Sequence, residues 1–234
     1  MTRLHVSAVA AFVIAAGVSG FASAAEQDSV LANGGRLYDK WFAENKMPKP
    51  TADHPAYPHK GGQYGKDTSW RCKECHGWDY KGKDGAYAKG GHATGIKGIS
   101  GGAGKDPKEI LTLLRGPSHG YTEAMLPAKD AEALALFVSK GQVDMAKYID
   151  VATGKPKGNG AKGEAYFNTM CAGCHGADGK KITTGPSLGS VAGNAYEMLH
   201  KVMNGQPAEA MPSLRALDPQ ISVDIVVHLQ TLPK

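Results

Sequence analysis

Two copies of one five-residue pattern constrain this chain more than any other feature. Residues 72–76 (the first motif) and 171–175 (the second motif) both read Cys-x-x-Cys-His, and they contain all four cysteines of the 234-residue chain. Two thiols three residues apart on one helical turn can reach the two vinyl groups of one haem, and the next residue places an imidazole at the iron. The pattern therefore predicts two covalently attached haems of the c type, held by Cys72, Cys75, His76, Cys171, Cys174 and His175.

Three other chemistries also use paired cysteines. A structural zinc site would leave both histidines unexplained, and 99 residues is a long separation between its two pairs. A thioredoxin-type redox site is expected within a βαβ pattern, which does not surround either motif. Structural disulfides within such short loops would stabilise little. Haem attachment explains the histidines and the duplication together.

The N-terminus has the pattern of an export signal. Arg3 precedes an almost wholly apolar run over residues 4–20, and Ala22-Ser23-Ala24 matches a small-residue cleavage site. The alternative is a retained membrane anchor, but the run is shorter than the ~20 residues that span a bilayer. We expect a signal peptide over residues 1–24, cleavage near Ala24, and a mature periplasmic protein without a membrane span.

Charge and glycine content exclude other classes of protein. The net charge is +5, and the basic excess is spread along the chain rather than concentrated on one segment. Nucleic-acid binding needs a concentrated basic face, so none is expected. The chain has 31 glycines, which predicts many loops.

One local cluster of lysines near the first motif is either a docking patch for a partner or simply a solvated surface. It contains Lys73, Lys81, Lys83 and Lys89.

The two halves of the chain repeat the same order of features. Each has a glycine followed four residues later by an aromatic residue, then the Cys-x-x-Cys-His motif, then a helix with an N-terminal cap that ends at glycine. Each then carries Glu-Ala-Met and finishes on an apolar helical run. The paired positions are Gly34 and Gly163, Tyr38 and Phe167, Asp106 and Asn194, Gly116 and Gly205, and Met125 and Met211.

This order of features resembles the class I cytochrome c family. The resemblance covers nearly all of residues 158–234 and covers residues 33–145 less well. It implies an all-α fold of two cytochrome c-like domains in tandem, each wrapped round one haem that replaces part of the core of a small domain. The boundaries are a signal peptide (1–24), a first domain (25–145) with an insertion at about 41–70, a linker (146–160) and a second domain (161–234).

The resemblance also implies a carbonyl group that supports each proximal histidine. In the second half, Pro186 follows His175 by eleven residues, where the family turns a proline carbonyl toward the imidazole N–H. In the first half, no proline occurs between His76 and Pro107. The candidate replacement is the segment of residues 90–104, which is glycine-rich around residues 95–98.

The sixth iron ligands decide what each haem can do, because a six-coordinate haem transfers electrons and an open haem can bind substrate. The matching positions predict Met211 for the second haem and Met125 for the first. Met198 and Met203 lie inside a helix and are better explained as core residues. The alternatives to Met125 are His54, His59, His92 and His119.

These features predict an exported dihaem c-type cytochrome that carries single electrons between redox partner proteins and has no catalytic residues. One alternative is a dihaem enzyme, peroxidase-like or sulfur-compound oxidising. Dihaem thiosulfate dehydrogenases are expected to use a cysteine as an iron ligand, whereas haem attachment uses every cysteine here. Dihaem peroxidases are expected to have a longer chain than this one. Another is a haem subunit of a larger periplasmic oxidoreductase, with the aromatic-rich insertion as its interface. Otherwise, we expect that insertion to shield the first haem or to lie between the domains.

Overall fold

The computed structural model describes residues 10–59 and 64–234, with side chains from residue 24 onward. Residues 1–9 of the predicted signal peptide therefore lie outside the described residues, and residues 10–24 belong to the first helix. Over the described ranges, no helix combines the length and the apolar character needed to cross a membrane.

The described part of the chain is helical and contains no strand, which confirms the predicted all-α class. Two isolated bridges pair Gly82 with Lys97 and Ile149 with Pro156. Short 3₁₀ turns cover Lys66–Trp70 and Ser100–Gly102, and a π-helical turn covers Phe137–Gly141. The α-helices are α1 (Ala10–Glu44), α2 (Cys72–His76), α3 (Pro107–Arg115), α4 (Ala128–Leu136), α5 (Met145–Tyr148), α6 (Gly160–Met170), α7 (Ala172–His175), α8 (Leu188–Val191), α9 (Ala195–Asn204) and α10 (Pro219–Leu229).

The helices begin where the sequence places their caps. The side chain of Asp106 accepts a hydrogen bond from the Lys108 amide at the start of α3, and Asn194 accepts one from the Glu197 amide at the start of α9. Asp218 caps α10 in the same way, with proline in its first turn. These bonds satisfy amides that have no partner inside the helix.

A glycine brings the first and last helices of each half into contact. α1 packs against α4, and α6 packs against α10. A methyl group on Gly34 would collide with the carbonyl oxygen of Ala133, and one on Gly163 would collide with that of Asp224. The aromatic residues four positions later, Tyr38 and Phe167, are fully buried. Both crossings therefore need glycine because backbone meets backbone there.

The two halves also pack directly against each other through α1 and α9. A methyl group on Gly35 would collide with the side chain of Asn204, and the Arg36 guanidinium donates to the Asn204 carbonyl at 3.0 Å. His200 lies in this contact and is 1% exposed. Its Nε2 donates to the Gly35 carbonyl at 2.9 Å, and its Nδ1 accepts from the Tyr80 hydroxyl at 2.8 Å.

Residues 146–160, predicted as a linker, are folded onto the rest of the chain. Ile149 is fully buried. The Lys157 amide donates to the Tyr148 carbonyl at 2.7 Å, and the Asp150 amide donates to the Lys155 carbonyl at 2.8 Å. These bonds close a turn, so the segment that connects the halves is folded rather than extended.

Candidate haem sites

Both motifs form the same short turn. α2 ends at Gly77 and α7 ends at Gly176, with φ angles of 79° and 77°. Glycine suits this left-handed region because it has no Cβ. After each turn the chain returns to the motif, where Gly82 donates its amide to the His76 carbonyl at 2.8 Å and Lys181 donates to the His175 carbonyl at 2.9 Å. The same local geometry therefore occurs twice, at positions 99 residues apart.

The thiols of the four cysteines are free. Burial raises the pKa of Cys72 and of Cys75 to about 12, and it also raises the pKa of Cys171. A thioredoxin-type site needs a thiol with a lowered pKa, which is the opposite shift. Nor do the described residues gather three or more His, Cys, Asp or Glu side chains into one metal-binding group, as a four-cysteine zinc site requires.

The His76 imidazole already has the carbonyl support that a haem ligand needs. Its Nδ1 donates to the Lys97 carbonyl at 2.6 Å. The Gly82–Lys97 bridge holds this carbonyl in place, and Gly98 packs so closely on the Tyr80 carbonyl that a methyl group would not fit. The glycine-rich segment thus supplies the bond that a proline supplies in the family. Burial lowers the pKa of His76, which favours the neutral ring that binds iron.

The His175 imidazole lacks the expected support. In the described parts of the chain, no hydrogen bond joins its ring to the Pro186 carbonyl. Residues 180–186 are all exposed, and the loop that carries Pro186 is held to the motif at Lys181, whose ammonium donates to the Gly173 carbonyl at 2.6 Å. The pKa of His175 is lowered by burial, as for His76.

The predicted insertion packs around the first motif. The Trp41 indole and the Tyr121 hydroxyl both donate to the Trp70 carbonyl, at 3.0 and 2.9 Å. Tyr57 is buried, and its hydroxyl donates to the Glu74 carboxylate at 3.2 Å. These side chains therefore contact the first motif and the residue two positions before it.

Inside the first motif, Glu74 is completely buried and gathers polar partners. The Lys73 ammonium lies 2.9 Å from one carboxylate oxygen, and His92 Nδ1 lies 2.9 Å from the other. Lys73 itself is 6% exposed. The predicted docking patch that included Lys73 is therefore wrong at this residue, because its ammonium is turned inward to neutralise the buried carboxylate.

A second buried carboxylate joins the first motif to the other half. Asp39 accepts from the guanidinium of Arg71, which precedes the motif, and from the ammonium of Lys201 on α9 at 2.6 Å. Burial alone would raise the pKa of Asp39, but these two cations hold it well below its usual range. Sequence reasoning missed Asp39, because its partners are 32 and 162 residues away.

The predicted methionine ligands are both half-buried against the core. Met211 also lines a groove of about 580 Å³ between the residues that follow Ala24 and the 208–213 loop. The amide of Met125 donates to the Thr122 carbonyl at 3.1 Å, within a loop that the Arg115 guanidinium anchors through the carbonyls of Tyr121 and Leu126.

The residues of both motifs fit covalent haem. Each offers two free thiols on one turn and an adjacent histidine, and the pKa of each histidine is lowered, which favours the neutral form. In the second half, Met170, Ile182 and Leu217 are exposed apolar side chains. When bound, haem supplies a one-electron change at its iron. The protein would hold the ligands, and the Lys97 carbonyl would set the tautomer of His76.

Comparison with known proteins supports this chemistry. Residues 158–229 match the family model described as cytochrome c oxidase, cbb3-type, subunit III. The match supports a c-type cytochrome with covalently bound haem c and a haem-based electron-transfer role. No curated protein matches the chain. No solved structure matches it either.

Proposed function

We propose that the chain is an exported dihaem c-type cytochrome that carries single electrons between redox partner proteins. One observation carries the proposal: the turn that follows each motif has the same hydrogen bonds and the same left-handed glycine in both halves. The second motif lies inside the matched cytochrome c region, and the first repeats its geometry. The proposed attachment residues are Cys72, Cys75, His76, Cys171, Cys174 and His175, with Met211 as sixth ligand of the second haem.

The role proposed is electron transfer without bond chemistry. Every cysteine is used for attachment, so none is left to bind iron as in a sulfur-oxidising enzyme. A redox titration of the whole protein, followed by its haem absorbance, tests this. We expect two reversible one-electron steps and no change of the spectrum on adding peroxide or thiosulfate. A new absorbance band with either reagent, together with turnover, would support an enzyme instead.

Export to the periplasm is part of the proposal. It is supported by the residue pattern of positions 1–24, because covalent haem attachment and cleavage are both expected after export. N-terminal sequencing of the protein from the periplasmic fraction should begin at Ala25. A chain that retains Arg3 and sediments with membranes would contradict it.

A second candidate is favoured by the name of the matching family, which is a subunit of an oxidase. On that proposal this chain is the haem subunit of a larger oxidoreductase rather than a free shuttle. Size-exclusion chromatography of an unpurified periplasmic extract, followed by haem absorbance, separates the two. A shuttle elutes near the mass of one chain, whereas a subunit elutes with a larger complex.

A further inference from the structure

One histidine ring lies against the proximal histidine of the first motif. The ring centres of His76 and His119 are 6.0 Å apart, and their planes differ by 29°. Two imidazoles on opposite sides of one metal ion, each bonded through nitrogen at about 2 Å, have ring centres about 6 Å apart. The same separation also occurs in ordinary ring packing. Coordination of one metal ion further requires a lone pair on Nε2 of both rings, and the hydrogen bonds at Nδ1 show whether it is present.

Both rings use Nδ1 for a backbone carbonyl. His76 Nδ1 donates to the Lys97 carbonyl at 2.6 Å, and His119 Nδ1 lies 3.1 Å from the Leu113 carbonyl and 3.2 Å from the Ser118 hydroxyl. Because a carbonyl oxygen only accepts, the proton of each neutral ring is on Nδ1. The lone pair is then on Nε2 in both rings. This is the tautomer that a metal-bound histidine adopts when its other nitrogen is held by a carbonyl.

The backbone of His119 is held from two sides. Its amide donates to the Gly116 carbonyl at 3.1 Å, in a tight turn that Gly120 closes with a φ of 65°. From the insertion, His54 Nδ1 accepts from the Ala56 amide at 3.2 Å, so its Nε2 carries the proton and donates to the His119 carbonyl at 2.9 Å. The insertion therefore fixes the position of this loop.

The other histidines of this region use their rings elsewhere. His92 Nδ1 lies on the Glu74 carboxylate, and the ring is stacked between Tyr64 and Tyr87 at 4.2 and 5.0 Å. His59 Nε2 lies 2.9 Å from the Ala93 carbonyl. With His54 engaged as described above, His119 is the candidate whose ring contacts His76.

The sequence contains a matching difference between the halves. From the glycine that ends α3 to Met125 there are nine residues, and from the glycine that ends α9 to Met211 there are six. The loop of the first half is therefore three residues longer, and it contains His119. The corresponding loop of the second half contains no histidine.

We propose that His119, rather than Met125, is the sixth ligand of the first haem, opposite His76. The proposal rests on the proposed function, because it requires a haem at Cys72 and Cys75. A thioether ligand raises the reduction potential relative to a second imidazole. The first haem then has the lower potential, and electrons pass within the chain from the first haem to the second.

The test compares two single variants in the whole haem-loaded protein. The weak red absorbance band of methionine–iron ligation, measured against the haem content, should correspond to one haem per chain in the unaltered protein. His119→Gly should lose the low-spin bis-histidine signal in electron paramagnetic resonance, and added imidazole should restore it. Met125→Leu should keep both the signal and the band. His59→Gln is the matched control and should leave the spectra unchanged.

A red band that corresponds to two haems per chain, halved in Met125→Leu, would overturn the proposal. This holds even if His119→Gly fails to fold, because the unaltered protein and Met125→Leu decide it. Intact mass separates this failure from that of the proposed function. A chain without haem at Cys72 and Cys75 contradicts the function, whereas a chain with both haems and a methionine-bound first iron contradicts the ligand assignment alone.

Discussion

The chain covers the first motif more fully than the second, much of which it leaves open to solvent. Lys97 supports the His76 ring, the insertion packs against the motif, and Glu74 is fully buried. At the second motif, Cys174 is exposed, as are residues 180–186. The motif turns themselves are alike. The two sites therefore differ in how many other residues pack against the motif. Solvent exposure and hydrogen bonds at the ligands tune a haem potential, so we expect the two haems to differ.

The largest expected effect comes from removing attachment at one motif at a time. We expect Cys171→Ser with Cys174→Ser to lower the melting temperature by roughly 10 °C, equivalent to a few kcal/mol. The second half has the more open site, and its fold depends more on the haem. Cys72→Ser with Cys75→Ser should have a smaller effect, because buried aromatic residues such as Tyr38, Trp78 and Tyr80 already form a core there. Thermal melts followed by circular dichroism measure the melting temperature of both double variants. Equal decreases would contradict the proposal that the second half depends more on its haem.

A pH-dependent loss of stability tests whether the halves act as one unit. Burial of His200 lowers its pKa to about 4, against about 6.5 in the unfolded chain. The folded state then binds fewer protons between these values, so stability falls as the pH drops from about 6.5 to about 4, by about 3 kcal/mol in total. His200→Gln should flatten this dependence in denaturant unfolding followed over that range. If the variant and the unaltered protein have the same slope, the α1–α9 contact does not contribute in this way.

The two helix crossings should respond alike, unlike the two motifs. Gly34→Ala and Gly163→Ala each place a methyl group against a backbone carbonyl, and we expect each to destabilise the protein by about 1–3 kcal/mol. Gly193→Ala is the control, because a methyl group there meets no atom within 4 Å. Its change should stay within about 0.5 kcal/mol. Chemical denaturation measures all three, and tolerance of Gly163→Ala would contradict the close crossing of α6 and α10.

Local signals predicted much of this fold. Asp106 and Asn194 begin helices because their side chains accept from amides two or three residues away, and such bonds depend on nearby sequence alone. The crossing glycines were identified because their spacing to Tyr38 and Phe167 is repeated. The haem motifs are equally local, since both thiols and the histidine lie within five residues.

Contacts between distant segments were predicted only in part. The glycine-rich segment that supports His76 was identified, but the residue was not, because any backbone carbonyl carries the same group whatever its side chain, and the carbonyl is that of Lys97, 21 residues away. Lys73 was expected at the surface because lysine usually lies there, but the buried Glu74 keeps it inside. His119 was one of four alternatives, and only its approach to His76 distinguishes it.

The intact mass of the mature chain, purified from the periplasm, tests the central claim most directly. The account predicts the mass of the chain from Ala25 plus two covalently bound haems, reduced by one haem in Cys72→Ser with Cys75→Ser. The same loss is predicted for Cys171→Ser with Cys174→Ser. The dihaem assignment would be contradicted by a mature chain that carries the mass of a single haem and still carries it when Cys72 and Cys75 are replaced.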